Sequence, residues 1–289
     1  MWYQLTILHC DKDNVDPVTD YLEEAGALSI TVLDKNDEPM LEPTIGTAPV
    51  WRENVLQALF DKAEQAQDVL NNLSSQYTWI KGSIEKIEDQ DWQRASMDLF
   101  QPQQFANKLW ICPSWHTLPE PNAPHVILDP GLAFGTGTHP TTALCLTWLA
   151  QHPPHDLQIV DYGCGSGILA LAALALGAKH VQALDLDDQA LQATSNNAAL
   201  NQITLEKLHI TYPHQTTPHN DLVIANILLG PLLSLKDQFT SLLKPNGQLV
   251  LSGLLAEQAD DLIAHYASDF TLQEKQICEE WILLSFIMV

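Results

Sequence analysis

Basic residues are scarce in this chain. Only 13 of its 289 residues are lysine or arginine, against 36 aspartates and glutamates, so the formal net charge at pH 7 is −23. An electrostatic field of that sign repels the phosphate backbone of nucleic acids. The composition therefore argues against direct nucleic-acid binding. It is compatible with a small ligand, with a basic protein partner, or with solubility alone.

Paired cysteines and long apolar runs are also missing. The five cysteines stand far apart and form no CxxC pair, which is typical of reduced thiols in a cytoplasmic protein. The first residues, MWYQLTILHCDKD, lack the basic start of a signal peptide. The longest apolar stretches, 168–178 and 281–289, are shorter than the ~20 residues that a membrane helix needs. We expect a cytoplasmic protein with no membrane association.

What is present divides into two regions. Residues 1–90 predict the order β-α-β-β-α-β, which is typical of a small α+β domain of the ferredoxin-like kind. The predicted strands are 2–10, 29–33, 51–60 and 79–87, and the predicted helices are 15–26 and 61–73. The polar stretch that follows, assigned to 91–108, predicts a connector that contains a short helix. Residues 109–289 form the second predicted domain.

In the second region strands alternate with helices, which predicts a doubly wound, mostly parallel α/β sheet. Helices are expected over 168–176, 189–200, 231–243 and 257–265, and strands over 158–161, 181–185, 208–212, 221–227 and 248–254. Two adjacent strands near 270–279 and 281–288 break the alternation. They predict an antiparallel hairpin at the sheet edge.

The segment QIVDYGCGSGILA, 158–170, predicts a strand, a glycine-rich turn and a helix. Such glycines allow a ligand to approach the backbone at the start of the helix. The glycines here run GxGxG, and Ile168 stands where a dinucleotide fingerprint has its third glycine. Asp161 before the turn would repel a pyrophosphate and would suit an ammonium group. S-adenosylmethionine carries an ammonium and a sulfonium, and it has no phosphate.

Asp185 stands at the end of the next predicted strand. An acidic side chain in that place can accept hydrogen bonds from both hydroxyls of a ribose. Asp187 and Asp188 are nearby alternatives, but their positions are more typical of the first turn of the following helix.

A third segment, DPGLAFGTGTHPTTALCL at 129–146, holds three glycines and four threonines between Asp129 and Thr142. This composition predicts a loop that closes over the ligand, and Thr141 or Thr142 is expected to cap a helix that begins near Ala143. His139 could act as a general base, although a loop histidine before proline is often structural.

Asn226 is a polar residue at the end of the apolar strand in DLVIANILLGPL, 221–232. A buried amide without partners is costly, so Asn226 should meet a ligand or a fixed backbone group. Its oxygen could orient an attacking amine. Histidines 209, 214 and 219 lack the spacing of metal ligands on a helix. We interpret them as surface residues and predict no metal site.

Taken together, these segments resemble the ribosomal protein L-eleven methyltransferase family, in the stretches LDPGLAFGTGTHPTT, VDYGCGSGILALAALALGA and ANILLGPL. The resemblance implies a seven-stranded class I methyltransferase domain and an N-terminal domain (1–90) that holds the substrate. It also implies that S-adenosylmethionine supplies a methyl group to lysine ε-amines and to an N-terminal α-amine of a large-subunit ribosomal protein.

The resemblance to the family assigns the site to particular residues of this chain. Thr142, Gly163, Asp185 and Asn226 are the cofactor contacts that the resemblance implies, with Gly165 beside them in the turn, and Asn226 is also the predicted catalytic residue. Many amino-group methyltransferases have Asn-Pro-Pro-aromatic where this chain has Asn226-Ile227-Leu228-Leu229. An aromatic wall for the amine must then come from elsewhere, and the candidate is Phe134, which is also a predicted cofactor contact.

Three alternatives stay open at this point. One is a methyltransferase of the same fold that acts on a small molecule, in which residues 1–90 form a lid or a dimer module. A second is an NAD-binding oxidoreductase, which the missing third glycine disfavours. A third is a cofactor-binding interaction protein without catalysis.

Overall fold

The computed structural model describes residues 1–36, 49–88, 100–129, 137–204 and 206–289. The chain divides into two compact units, residues 1–97 and residues 98–289. Three predicted features lie outside the described residues: Phe134, the short helix expected in the connector, and most of the loop at 36–50. No helix in the described ranges has the length and apolar character needed to span a membrane.

The first unit is one four-stranded sheet with two helices on it. Its elements are β1 (Trp2–Asp11), α1 (Lys12–Glu24), β2 (Ser29–Asp34), β3 (Glu53–Phe60), α2 (Ala63–Gln76) and β4 (Gly82–Ile87). The strand order is β2-β3-β1-β4, and every neighbouring pair is antiparallel. Alternate residues of β1 and β3, such as Leu5 and Leu56, point to a core that α1 and α2 cover. The elements of this unit follow the order β-α-β-β-α-β along the chain.

The second unit begins with a small sheet that the sequence did not predict. It consists of β5 (Gln103–Phe105), β6 (Leu109–Cys112) and β7 (His125–Ile127) in the order β5-β6-β7. Strand β5 lies inside the range 91–108 that was assigned to the connector, so the end of that range needs correction. The reason is physical: β5 has only three residues, two of them glutamines, and it is too short for an alternating pattern to show.

The main sheet has seven strands, β8 (Gln158–Tyr162), β9 (His180–Leu184), β10 (Leu208–Thr211), β11 (Asn220–Asn226), β12 (Leu243–Leu255), β13 (Phe270–Cys278) and β14 (Trp281–Met288). The order is β10-β9-β8-β11-β12-β14-β13. The first five strands pair in parallel, and β14 pairs antiparallel with both β12 and β13. The mostly parallel seven-stranded sheet and the terminal hairpin are confirmed.

Helices cover both faces of this sheet. They are α3 (Pro140–Gln151), α4 (Ile168–Ala175), α5 (Asp188–Leu200), α6 (Leu229–Ser234), α7 (Lys236–Leu242) and α8 (Ala259–Tyr266). Neighbouring strand residues point to opposite faces: Ile159 and Ile224 join one buried core, whereas Val160 and Val223 join the other. Parallel strands buried on both faces are apolar at successive positions, which explains why the sequence shows continuous apolar runs there.

One predicted helix is two helices in the structure. The range 231–243 covers α7 and all but the first two residues of α6, which begins at Leu229. Leu235, where ψ is near 5°, lies between the two helices. The hydroxyl of Ser234 donates to the carbonyl of Pro231 at 2.9 Å. Side chains of this kind compete for backbone acceptors at the end of a helix, and an apolar periodicity alone does not reveal that competition.

Candidate functional site

The carboxyl ends of β8, β9 and β11 meet at a cavity of about 240 Å³. The strand order reverses between β8 and β11, and such a switch point is where open α/β sheets bind ligands. The described residues that line the cavity are Thr142, Gly163, Cys164, Gly165, Ile168, Leu169, Asp185, Asn226 and Ile227. Five of the six predicted site residues thus come together here, and the sixth, Phe134, lies outside the described residues.

The glycine turn after β8 has a backbone that only glycine adopts without strain. Gly163, Gly165 and Gly167 have φ values of 77°, 54° and 81°. The N–H groups of Gly163 and Cys164 both donate to the carbonyl of Leu184 at 2.8 Å, which ties the turn to the end of β9. A side chain at Gly163 would also collide with Ile227, because its Cβ would lie 2.4 Å from Ile227 Cγ2.

Two side chains on α5 bind the backbone of this turn, and neither was predicted as a site residue. Thr194 Oγ1 donates to the carbonyl of Gly165 at 3.0 Å, and Asn197 Nδ2 donates to the carbonyl of Ser166 at 2.9 Å. Both side chains are buried. Because they are three residues apart, they lie on one face of the helix. The signal in the sequence that could have indicated them is their three-residue spacing in the helix that follows Asp185.

Asp185 is held against the cavity by backbone N–H groups. Its Oδ2 accepts from Gly165 at 3.0 Å, and its Oδ1 accepts from Leu186 at 2.8 Å and Asp187 at 3.1 Å. An ionised carboxylate offers about four acceptor positions, so three are in use and one is left for a ligand. The prediction that Asp185 accepts from two hydroxyls at once would require one of these N–H groups to give way. Asp187 caps α5 through Gln189 N, in the place expected for it.

Asp161 does not line the cavity, contrary to what the sequence indicated. Its side chain is fully buried, and its Oδ2 accepts from the N–H of Ala170 in α4 at 2.9 Å. Its Oδ1 has no hydrogen-bond partner in the described part of the chain. Burial raises the pKa of Asp161 to about 7, the Ala170 N–H opposes this, and the charge of Asp185 adds to it. The pattern alone could not show that this carboxylate faces the helix backbone.

Asn226, at the end of β11, contacts Thr142 of α3. Its Nδ2 donates to Thr142 Oγ1 at 3.2 Å, and Thr142 is buried. The oxygen Oδ1 of Asn226 is buried and has no partner among the described residues. Leaving an amide oxygen in that state costs roughly 1–3 kcal/mol. The arrangement therefore suits a ligand that donates a hydrogen bond into the cavity.

His139 is the residue that caps α3, so the expected cap by Thr141 or Thr142 is wrong. The helix begins at Pro140, earlier than predicted, and His139 Nδ1 accepts from the N–H of Thr141 at 3.3 Å. The reason is that proline suits the first helical position, which moves the cap to the residue before it. The ring also contacts Trp281 edge to face, with centroids 4.9 Å apart. Burial lowers the pKa of His139, while Glu280 and Glu279 oppose the shift.

No basic residue appears among the described residues that line the cavity, and its one charged member is Asp185. This charge pattern disfavours a pyrophosphate and favours a ligand with hydroxyls and a positive charge. In the described ranges no group of three or more His, Cys, Asp and Glu residues could hold a metal ion. Histidines 209, 214 and 219 are exposed, as expected.

Comparisons with known proteins agree with this geometry. A family model described as "Ribosomal protein L11 methyltransferase (PrmA)" matches residues 1–288. A protein of that name from Legionella pneumophila (strain Philadelphia 1) is 54% identical over 286 residues, which is 99% of each chain. One from Pseudomonas fluorescens is 46% identical over 287 residues, 98% of each chain. The crystal structure of a ribosomal protein L11 methylase from Lactobacillus delbrueckii subsp. bulgaricus superposes with a TM-score of 0.60 at 33% identity, covering 65% of this chain and 99% of that one. The chain therefore belongs to the ribosomal protein L11 methyltransferase family.

Proposed function

We propose that this methyltransferase transfers methyl groups from S-adenosylmethionine to amino groups of ribosomal protein L11, on lysine ε-amines and on the N-terminal α-amine. The observation that carries the proposal is the cavity at the switch point, where Thr142, Gly163, Gly165, Asp185 and Asn226 come together. Membership of the family supports the substrate.

The residues present fit S-adenosylmethionine. Asp185 keeps an acceptor position for a ribose hydroxyl, and Gly163 and Gly165 leave the turn open to close approach. The unpaired oxygen of Asn226 suits an N–H donor, either from the ligand or from the incoming amine. Bound S-adenosylmethionine would supply a methyl group that its sulfonium already makes electrophilic.

The remaining task of the chain is to position a neutral amine. Such positioning can contribute ~7–11 kcal/mol to lowering a barrier. A lysine in water has a pKa near 10.4, so only about one in two thousand is neutral around pH 7. Burial in a closed site lowers that pKa, whereas the acidic surface raises it. We expect no dedicated base: the amine loses its proton to water, and the Asn226 amide holds the amine or the adjoining ligand.

The structure supports a structural part for His139 rather than a part as a base. Its Nδ1 accepts from the backbone of Thr141, which engages that nitrogen in capping α3. On this proposal the reaction rate rises with pH until the bound amine has titrated. The pH–rate profile shows no second inflection from an imidazole.

The first unit is proposed to recognise the protein substrate, and its boundary at residue 90 stays a prediction. All described residues that line the cavity belong to the second unit. That leaves residues 1–90 free to contact a partner, which we propose to be the ribosomal protein in the cytoplasm. The excess of acidic residues suits a lysine-rich partner and opposes direct contact with nucleic acid.

Two measurements test the proposal. Calorimetry should show binding of S-adenosylmethionine and none of NAD. Labelled methyl groups should then enter ribosomal protein L11 taken from a strain that lacks its methyltransferase. Tight NAD binding would refute the cofactor, and transfer to a small molecule with an unlabelled ribosomal protein would favour the alternative substrate class.

A further inference from the structure

The strand β12 carries a bulge directly beside Asn226. Its pairing with β14 shifts between Leu251 and Leu254, which lie opposite Leu284 and Ile282, so β12 has one residue more than β14 over this span. Gly253 lies in the bulge with φ of 91°. Bulges are frequent beside active sites, where they redirect a side chain or end the pairing of strands.

The bulge places Gly253 against the backbone of Ile227. A Cβ added at Gly253 would lie 2.4 Å from Ile227 O, 2.7 Å from its C and 2.8 Å from its N. The N–H of Ile227 also donates to the carbonyl of Ser252 at 3.2 Å. Any side chain at Gly253 must therefore move the backbone of the residue that follows Asn226.

Ile227 is held from a second side as well. Its Cγ2 occupies the space where a Cβ of Gly163 would lie, at 2.4 Å. The glycine turn and the bulge thus enclose Ile227 between them. The residues directly after Asn226 are Ile227, Leu228 and Leu229, and none of them is a proline that would fix the backbone. The contacts of Ile227 with the turn and the bulge therefore help to define its path.

Ser252 secures the bulge itself. Its side chain is fully buried, and its Oγ donates to the carbonyl of Ile282 in β14 at 3.0 Å. This bond ties the irregular part of β12 to its neighbour where the regular ladder is interrupted.

We propose that Gly253 is a positioning residue for methyl transfer: the Ser252–Gly253 bulge sets the backbone of Ile227 and thereby holds the Asn226 amide against Thr142. The inference rests on the proposed function of Asn226. It adds that the geometry of this amide is determined by β12, a strand that contributes no lining residue to the cavity among those described.

The test compares Gly253→Ala with Gly177→Ala in the full-length protein. Gly177 is the control for backbone strain, because it also has a left-handed φ, of 102°, and its added Cβ would lie 2.5 Å from the His155 ring and not against the backbone of Ile227. We measure the side-chain amide resonance of Asn226, assigned by its loss in Asn226→Ala, together with kcat and KM. In Gly253→Ala the resonance should shift and kcat should fall about tenfold to a hundredfold, since a misplacement near 1 Å can cost that much. KM for the ribosomal protein should change far less.

A second variant keeps the proposal testable if Gly253→Ala does not fold. Ser252→Ala leaves the backbone intact but removes the bond to Ile282, so it should shift the same resonance and lower kcat to a smaller extent. An unmoved resonance in whichever variant folds, or an equal loss of kcat in Gly177→Ala, overturns the proposal. If the wild-type protein fails to methylate the ribosomal protein, the proposed function is refuted, and the Asn226 resonance still decides the part played by Gly253.

Discussion

Replacing Asp185 by asparagine removes one negative charge from the cavity and keeps the size of the side chain. In the structure the carboxylate already accepts three backbone N–H groups, from Gly165, Leu186 and Asp187. One acceptor position is left, so a bound ribose gains one charged hydrogen bond, worth roughly 1.5–3 kcal/mol when water is excluded. At about 1.4 kcal/mol for each factor of ten, S-adenosylmethionine should bind about tenfold to a hundredfold more weakly to Asp185→Asn.

Calorimetric titration of the two proteins measures this difference. Asp187→Asn is the matched control, because it removes the same charge two residues away and because asparagine caps a helix about as well as aspartate. Its affinity should stay within about twofold of the wild type, as expected for an exposed charge. Equal weakening in both variants would mean that net charge, and not the placed carboxylate, determines binding. An unchanged affinity in Asp185→Asn would refute the assignment of this residue.

Three further predictions concern catalysis, domain roles and pH. Asn226→Ala should lower kcat on the order of tenfold or more, about 1.4 kcal/mol, whereas His139→Ala should change it only modestly; single-turnover rates measure both. Residues 98–289, expressed alone, should bind S-adenosylmethionine if they fold but should no longer methylate ribosomal protein L11, as labelled transfer would show. Asp161 should lower the free energy of unfolding by up to about 4 kcal/mol as the pH rises from 4 through 7, because it keeps its proton in the folded state and loses it in the unfolded one. Denaturant titrations should show that Asp161→Asn removes this part of the decrease.

Each of these has an outcome that would contradict it. Loss of turnover in His139→Ala with intact ligand binding would make a histidine base the better account. Full activity of residues 98–289 would remove the recognition role from the first unit. A pH dependence that is the same in Asp161→Asn and in the wild type would mean that the carboxyl is ionised throughout the range. Because the pKa of Asp161 is raised in the folded state, its contribution to the free energy of unfolding falls as the pH rises. This contribution is fully lost above the folded-state pKa.

The sequence predicted best where a repeated pattern covers many residues. Helix α4 is apolar on all sides and ends at Ala175, shortly before Gly177. Strands β8 to β12 follow from apolar runs between turn residues, so the existence of these elements required no tertiary information. Strand β5 was missed because three residues cannot show a period. The predicted elements agree with the structure where an apolar pattern repeats over many residues. They differ from it where an element consists of only a few residues.

The sequence predicted the residues that line the site, but it did not predict the residues that hold them in place. Gly163, Asp185 and Asn226 stand at strand ends, and the rule that parallel strands end at one edge brings them together. The direction in which the Asp161 side chain points depends on its contact with the backbone of α4, and the bulge at Gly253 depends on the pairing of β12 with β14. These contacts join segments that are separated in the sequence. No local pattern specifies such contacts, so the residues that hold the predicted ones in place came only from the structure.

The position of β14 has a consequence for how this sheet is completed during synthesis. Strand β12 has only β11 beside it until β14 has been made, since β13 emerges first and lies beyond β14 in the sheet. During that interval β12 presents thirteen residues, six of them leucine or valine, as an open edge that another chain could join. The nascent second unit is therefore most exposed to aggregation just before β14 leaves the ribosome. Substitutions that weaken the β14 pairing should therefore lower the yield of folded protein even where the free energy of unfolding of the folded protein changes little.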